Sequence, residues 1–297
     1  MILLNPGPVT LSRRVRESLS KPDICHREPE FSCLQNNIRK KLLSVYELDS
    51  SEWAPILLTG SGTSAVEAML TSCIPREGFT LVIENGVYGE RMSEILTSYG
   101  MGFDSLEVGW EAEINISALE AMLSTKKYSH LAVVHHETTT GRLNDLSKIS
   151  DLSAQYKTKL LLDGVSSFGA EKIPFKKGSI TACAATANKC LHGIPGTSFV
   201  ILKRELHAHN PPTRSVYLDL FRYLKAQDKH ETPFTQSIQS FYALDEALSE
   251  FSDLGGLKAR HYTYKKRMDM ISKKLSSLGI KTFLPPESNS VVLKSFL

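Results

Sequence analysis

Residues 159–169 read KLLLDGVSSFG, an apolar run that stops on an acid and turns at a glycine. A short continuous apolar run bounded by turn residues is the pattern of a strand buried on both faces. The pattern recurs at APILLTG (54–60), FTLVIEN (79–85) and LAVVHHE (131–137), and continues as ITACAA (180–185) and SFVILKR (198–204) around an HGIPG turn. Between these runs lie helical stretches: SGTSAVEAMLTSCI (61–74), GERMSEILTSYG (89–100) and a polar one near Leu146 to Tyr156. Strands alternating with helices predict an α/β fold with a mainly parallel sheet covered on both faces.

Outward from this centre the chain changes character twice. At the start, NPGPVT (5–10) is a stiff extended entry, because two prolines and a glycine exclude a helix there. Ser12 to Leu19 then reads as a short helix capped by Ser12, and Gln35 to Tyr46 as a second helix. From about Pro211 the pattern turns helical in TRSVYLDLFRYLKAQ (213–227) and SIQSFYALDEALSEF (237–251), followed by a basic amphipathic helix from Leu257 to Leu278. The last stretch, IKTFLPPESNSVVLKSFL (280–297), predicts a strand, a Pro-Pro loop and a further strand. The expected division is an N-terminal arm and helix at 1–20, a large domain at 21–245 and part of a smaller α/β domain at 246–297.

The 297 residues suffice for one large α/β domain and part of a second. Thirty-five basic against 32 acidic residues, spread along the chain, leave a net charge of +3, too small and diffuse for a nucleic-acid partner. No apolar run approaches the roughly eighteen residues that span a bilayer, and MILLNPGPVT lacks the plan of a secretory leader. Five cysteines without CxxC pairs read as reduced thiols, so the expected location is the cytoplasm. Cys190 reads as a buried spacer, since no base is evident beside it. His135 and His136 lack a third ligand at metal-binding spacing and read as core or loop histidines.

Ligands in open α/β sheets bind at the carboxyl ends of the strands, and three groups fall there. GSGTS (60–64) follows a strand and opens a helix, so Ser61, Gly62 and Thr63 can offer N–H groups and hydroxyls to an anion, or simply start a helix. Asp163 puts a carboxylate on a strand tip, as a partner for a protonated ring nitrogen or as a turn residue before Gly164. Lys189, in TANKCLHGIPG, follows an apolar run; it is either a solvated turn lysine or, if partly buried, an amine able to attack an aldehyde.

In order and context these signals resemble the class V (fold type I) pyridoxal-phosphate (PLP) aminotransferases over nearly the whole chain. The strings NPGP, HREPEF (26–31), GSGTSAVEA (60–68), NGVYGERM (85–92), HHETTTG (135–141), LDGVSSFG (162–169) and ANKCLHGIPG (187–196) carry the likeness. The last four look most like the 2-aminoethylphosphonate:pyruvate transaminase branch, with the alanine–glyoxylate branch the nearer relative outside it. The resemblance implies PLP as cofactor and Lys189 as its Schiff-base lysine and proton carrier. It places Asp163 on the pyridine nitrogen, Val165 under the ring, Tyr88 on the other face and Thr139 near the phenolic oxygen. Ser61, Gly62, Thr63 and Asn188 would cradle the phosphate. Thr235 matches a position that reaches the phosphate of the neighbouring subunit, implying a homodimer with a small-molecule amino donor and a keto acid as substrates. Arg27 is read as binding an acidic substrate group or pairing with Glu28 or Glu30. Arg214 is the candidate, on charge and position, for holding a phosphonate.

The chain departs from the family pattern in two places. An acid usual in the strand before the lysine is Thr181 here. The family continues beyond the position of Leu297 with an arginine that clamps the keto-acid carboxylate, and no candidate follows Ser290, so a C-terminally shortened form is expected. Three readings follow: a 2-aminoethylphosphonate transaminase, an alanine–glyoxylate or serine-type transaminase, or a PLP-binding protein of impaired activity.

Overall fold

The computed structural model describes residues 3–177, 179–209 and 214–297. Among the described residues nine strands are interleaved with helices in chain order. After α1 (Arg13–Glu17) and α2 (Pro29–Ser44) come β1 (Trp53–Gly60), α3 (Gly62–Cys73), β2 (Thr80–Glu84), α4 (Val87–Ser98) and β3 (Phe103–Glu107). Then follow α5 (Ile116–Thr125), β4 (His130–Val134), β5 (His136–Glu137), β6 (Arg142–Leu143), α6 (Leu146–Gln155), β7 (Lys159–Asp163), β8 (Ile180–Thr186) and β9 (Gly196–Lys203). The chain closes with α7 (Leu220–Gln227), α8 (Ile238–Asp253) and α9 (Gly256–Ser276). Ser12 caps α1, accepting the Val15 N–H on its hydroxyl at 3.2 Å.

Seven strands form one sheet in the order β1-β9-β8-β7-β4-β2-β3. β9 is antiparallel to both neighbours and the other pairings are parallel, so β1, β8, β7, β4, β2 and β3 all run the same way. The alternation of side chains explains why the strands read as unbroken apolar runs. Leu131, Val133, Leu160, Leu162, Phe199 and Ile201 enter the core on one face. Their sequence neighbours Ala132, Val134, Leu161, Val200 and Leu202 enter the core on the other. The first face is covered by α2, α5, α6 and α8, the second by α3, α4 and α7.

Several expected elements differ in detail. LAVVHHE breaks at His135 into β4 and β5, because β5 leaves the main sheet to pair antiparallel with β6 in a small hairpin. The second helix begins at Pro29, where a proline suits the first turn, rather than at Gln35. Only Leu220–Gln227 of the 213–227 stretch is α-helical, starting where the Asp219 side chain caps it; Pro211 and Thr213 lie outside the described residues. The strands expected in 280–297 are not formed: the segment makes isolated bridges, Thr282 with Phe296 and Arg142 with Asn289, and a 3-10 turn at Pro286–Ser288. A strand needs a continuous ladder, and here the two arms meet only locally. No helix among the described residues is long and apolar enough to cross a membrane.

Candidate active site

Because the parallel strands share a direction, Gly60, Thr186, Asp163 and Val134 end on one edge of the sheet. At the end of β1 the chain turns into α3 with Ser61 as N-cap in extended conformation and without a side-chain capping bond. The first-turn N–H groups of a helix have no partner within it, and here they open on the exposed Ser61 and Thr63. Gly62 is held against the tip of β7: a Cβ at this position would lie 2.8 Å from Cγ1 of Val165. Only a glycine brings the helix start so close. Asn188 is drawn to the same corner by the Thr186 hydroxyl, which donates to its Oδ1 at 2.8 Å.

Asp163 is 5% exposed. Its Oδ1 accepts the Val165 N–H at 2.9 Å, and it has no ion pair among the described residues. Burial, helped by the charge of Glu137 and opposed by the Val165 N–H, Lys189 and Arg91, pushes its carboxyl up to about 6. Lys189 is half-buried one loop further along. The N-terminal arm lies on it: a Cβ on Gly7 would fall 2.5 Å from Cδ of Lys189 and 2.6 Å from the Asn188 carbonyl oxygen. The loop beyond Lys189 is pinned to α9, since Arg260 donates to the Cys190 carbonyl at 3.0 Å and His192 Nε2 meets the Tyr264 hydroxyl at 2.6 Å.

Tyr88 is half-buried at the start of α4, with the Arg91 guanidinium 4.9 Å from its ring centre. Thr139 sits in the turn between β5 and β6. Both residues are bound by one carboxylate that the sequence reading passed over. Glu137 is fully buried; one oxygen accepts the Tyr88 N–H at 3.1 Å, the other the Thr139 N–H at 3.0 Å and the Thr139 hydroxyl. The available signal was an acid two residues before a turn threonine, directly after a buried strand. Gly7 was passed over too, and nothing in NPGP alone says which distant residue it touches.

The remaining candidates separate clearly. Thr235 is exposed, in a loop pinned to the end of β1 by the Thr59 hydroxyl, which donates to Gln236 Oε1 at 2.9 Å and accepts the Ser237 N–H at 3.0 Å. Arg27 is exposed and pairs with neither Glu28 nor Glu30. Arg214 is not at this edge: it donates to the carbonyls of Thr71, Ile74 and Pro75, at 2.9, 2.6 and 2.9 Å, closing the opposite end of α3. Its guanidinium is consumed in capping, which overturns its assignment to a phosphonate. Thr181 lies at the start of β8, on the edge away from Lys189, with its hydroxyl on the Leu160 carbonyl. The departure there does not touch the site. The Cys190 thiol is buried and pushed up to about 12 by desolvation, so it is no nucleophile. Burial holds the imidazoles of His135 and His136 down to about 3 and about 4, and no group of metal-binding residues occurs among the described ones.

The Aminotransferase class-V family profile matches residues 17–295. The chain belongs to the class-V aminotransferases. It is 34% identical to the 2-aminoethylphosphonate–pyruvate transaminase of Phocaeicola vulgatus, over 100% of this chain and 83% of that one. It is 32% identical to the bifunctional phosphonoacetaldehyde hydrolase/aminoethylphosphonate transaminase of Clostridioides difficile, of which it spans 47%. Among solved structures, the aspartate aminotransferase of subgroup IV from Thermus thermophilus matches with a TM-score of 0.90 and 26% identity, covering 100% of this chain and 82% of that one. The alanine–glyoxylate aminotransferase of Nostoc sp. has a TM-score of 0.93 at 24% identity, with 99% and 79% covered, a likeness of fold. This class-V aminotransferase thus keeps the α/β architecture read from its strands.

Proposed function

We propose that this aminotransferase uses PLP to move the amino group of 2-aminoethylphosphonate to pyruvate, giving phosphonoacetaldehyde and alanine. The observation that carries the cofactor is the meeting of three complementary groups on one sheet edge: an uncapped helix start, a desolvated acid without an ion pair among the described residues and a half-buried lysine. They fit a phosphate, a protonated ring nitrogen and an aldehyde respectively. The substrate pair rests on the names of the relatives matched over the whole chain.

When bound, PLP supplies an electron sink for the bond broken at the substrate carbon bearing the amine. Lys189 Nζ would hold the cofactor's aldehyde carbon and, once freed by the donor amine, would be the base and acid that moves the proton of the substrate carbon. Asp163 keeps the ring nitrogen protonated, and the match relieves the cost of its own buried charge. Val165 and Tyr88 bound the two ring faces, and Thr139 meets the phenolic oxygen. Ser61, Gly62, Thr63 and Asn188 hold the phosphate. Thr235 serves the phosphate of a neighbouring subunit, in a cytoplasmic homodimer. The separation of a smaller domain from residue 246 belongs to the same reading; α9 has Arg260 as its one buried residue among the described ones.

Two coupled assays test the substrate. With 2-aminoethylphosphonate and pyruvate, alanine forms and phosphonoacetaldehyde accumulates. Turnover of alanine with glyoxylate, and none of 2-aminoethylphosphonate, would overturn the assignment.

A further inference from the structure

We infer that Glu137 is a positioning residue for the cofactor, a buried strut whose two carboxylate oxygens fix the Tyr88 and Thr139 walls of the site relative to each other. This rests on the reading of the site as a PLP pocket. The geometry begins with α4, whose N-cap is Gly86, a residue with no side chain to satisfy the first-turn N–H groups. Glu137 fills that role from another element, accepting the Tyr88 N–H at 3.1 Å. Its second oxygen takes both the N–H and the hydroxyl of Thr139. The fit is close enough that a Cβ on Gly86 would fall inside the Glu137 side chain. Gly86 is therefore the space that Glu137 occupies.

Only an ionised carboxylate accepts at both oxygens without a donor of its own. An amide in its place presents an NH2 to one of the two N–H groups, so either Tyr88 or Thr139 loses its anchor. The charge also matters, because the Glu137 carboxylate raises the Asp163 carboxyl by repulsion, with Lys189 and Arg91 the other charges acting on that acid. A purely structural cap would leave the electrostatics of the bound cofactor unchanged.

The test titrates PLP into the purified chain and into Glu137→Gln, following visible absorbance across pH, with thermal melting of both cofactor-free proteins alongside. The expected result is a Kd raised about tenfold or more, the cost of losing a charged hydrogen bond. The pH midpoint of the visible band should also fall by about half a unit or more, because a negative charge beside a cationic site has gone. An unchanged Kd and midpoint in Glu137→Gln overturn the inference while leaving the PLP reading intact. Absence of a Lys189-dependent band in the parent protein overturns that reading, and this inference with it. If Glu137→Gln fails to fold, Gly86→Ala decides: its Cβ would overlap Cδ of Glu137 and displaces the strut without removing any group placed against the cofactor. A Kd raised about threefold supports the strut, whereas an unchanged Kd overturns it.

Discussion

Asp163 carries a charge in a setting that penalises it. Its folded carboxyl is raised from 3.8 to about 6, so between those pH values the native state binds a proton that the unfolded chain has released. The contribution of this group to stability therefore falls as pH rises from about 4 to about 6, and at neutral pH it costs the cofactor-free protein about 3 kcal/mol. Asp163→Asn removes the charge and keeps the shape. Urea denaturation without PLP should find the variant more stable at pH 7, by up to about 3 kcal/mol, and equal to the parent below pH 4. Transaminase turnover should fall by about tenfold to a hundredfold, the loss expected for a charged hydrogen bond to the ring nitrogen. The placement of Asp163 at the tip of β7 and of Lys189 just past β8 was legible in the sequence, because a strand end is announced by the point at which an apolar run stops. Glu137 and Gly7 were not, because their roles depend on partners 49 and 182 residues away.

At the scale of elements, the strands buried on both faces were the legible ones. β3, with the half-buried pattern FDSLE, and α5 escaped notice because one face of each meets water or the sheet edge. The hairpin of β5 and β6 was hidden inside an apolar run, since LAVVHHE gives no sign that the chain leaves the sheet at His135. Arg214 shows the reverse error. Its charge was visible, but not the end of α3 it would reach, and twelve residues put about 18 Å between the two ends. Arg214→Ala should lower stability by about 1–2 kcal/mol through three lost carbonyl contacts, read as a shift in the urea midpoint. The KM for 2-aminoethylphosphonate should stay unchanged. A raised KM with unchanged stability would return Arg214 to the substrate site.

For the whole molecule, both ends of the sheet are edges that another chain could extend. β1 is partly shielded, because the buried Gln227 mimics a strand there: its amide donates to the Leu57 carbonyl at 2.7 Å and accepts the Leu57 N–H at 3.1 Å. Association through the large domain is then expected to use the loop flank rather than the sheet edge, and Thr235 stands exposed on that flank. Light scattering after size exclusion should give twice 33.0 kDa. A stable monomer that still binds PLP would remove Thr235 from the cofactor site.

In the proposed function, Lys189 holds PLP at the edge where Asp163 and the start of α3 meet. The most direct measurement is the visible absorbance spectrum of the purified chain with added PLP, beside that of Lys189→Ala. A new visible band in the parent protein that is absent from Lys189→Ala is the predicted result. No band in the parent, or the same band in both, would contradict it.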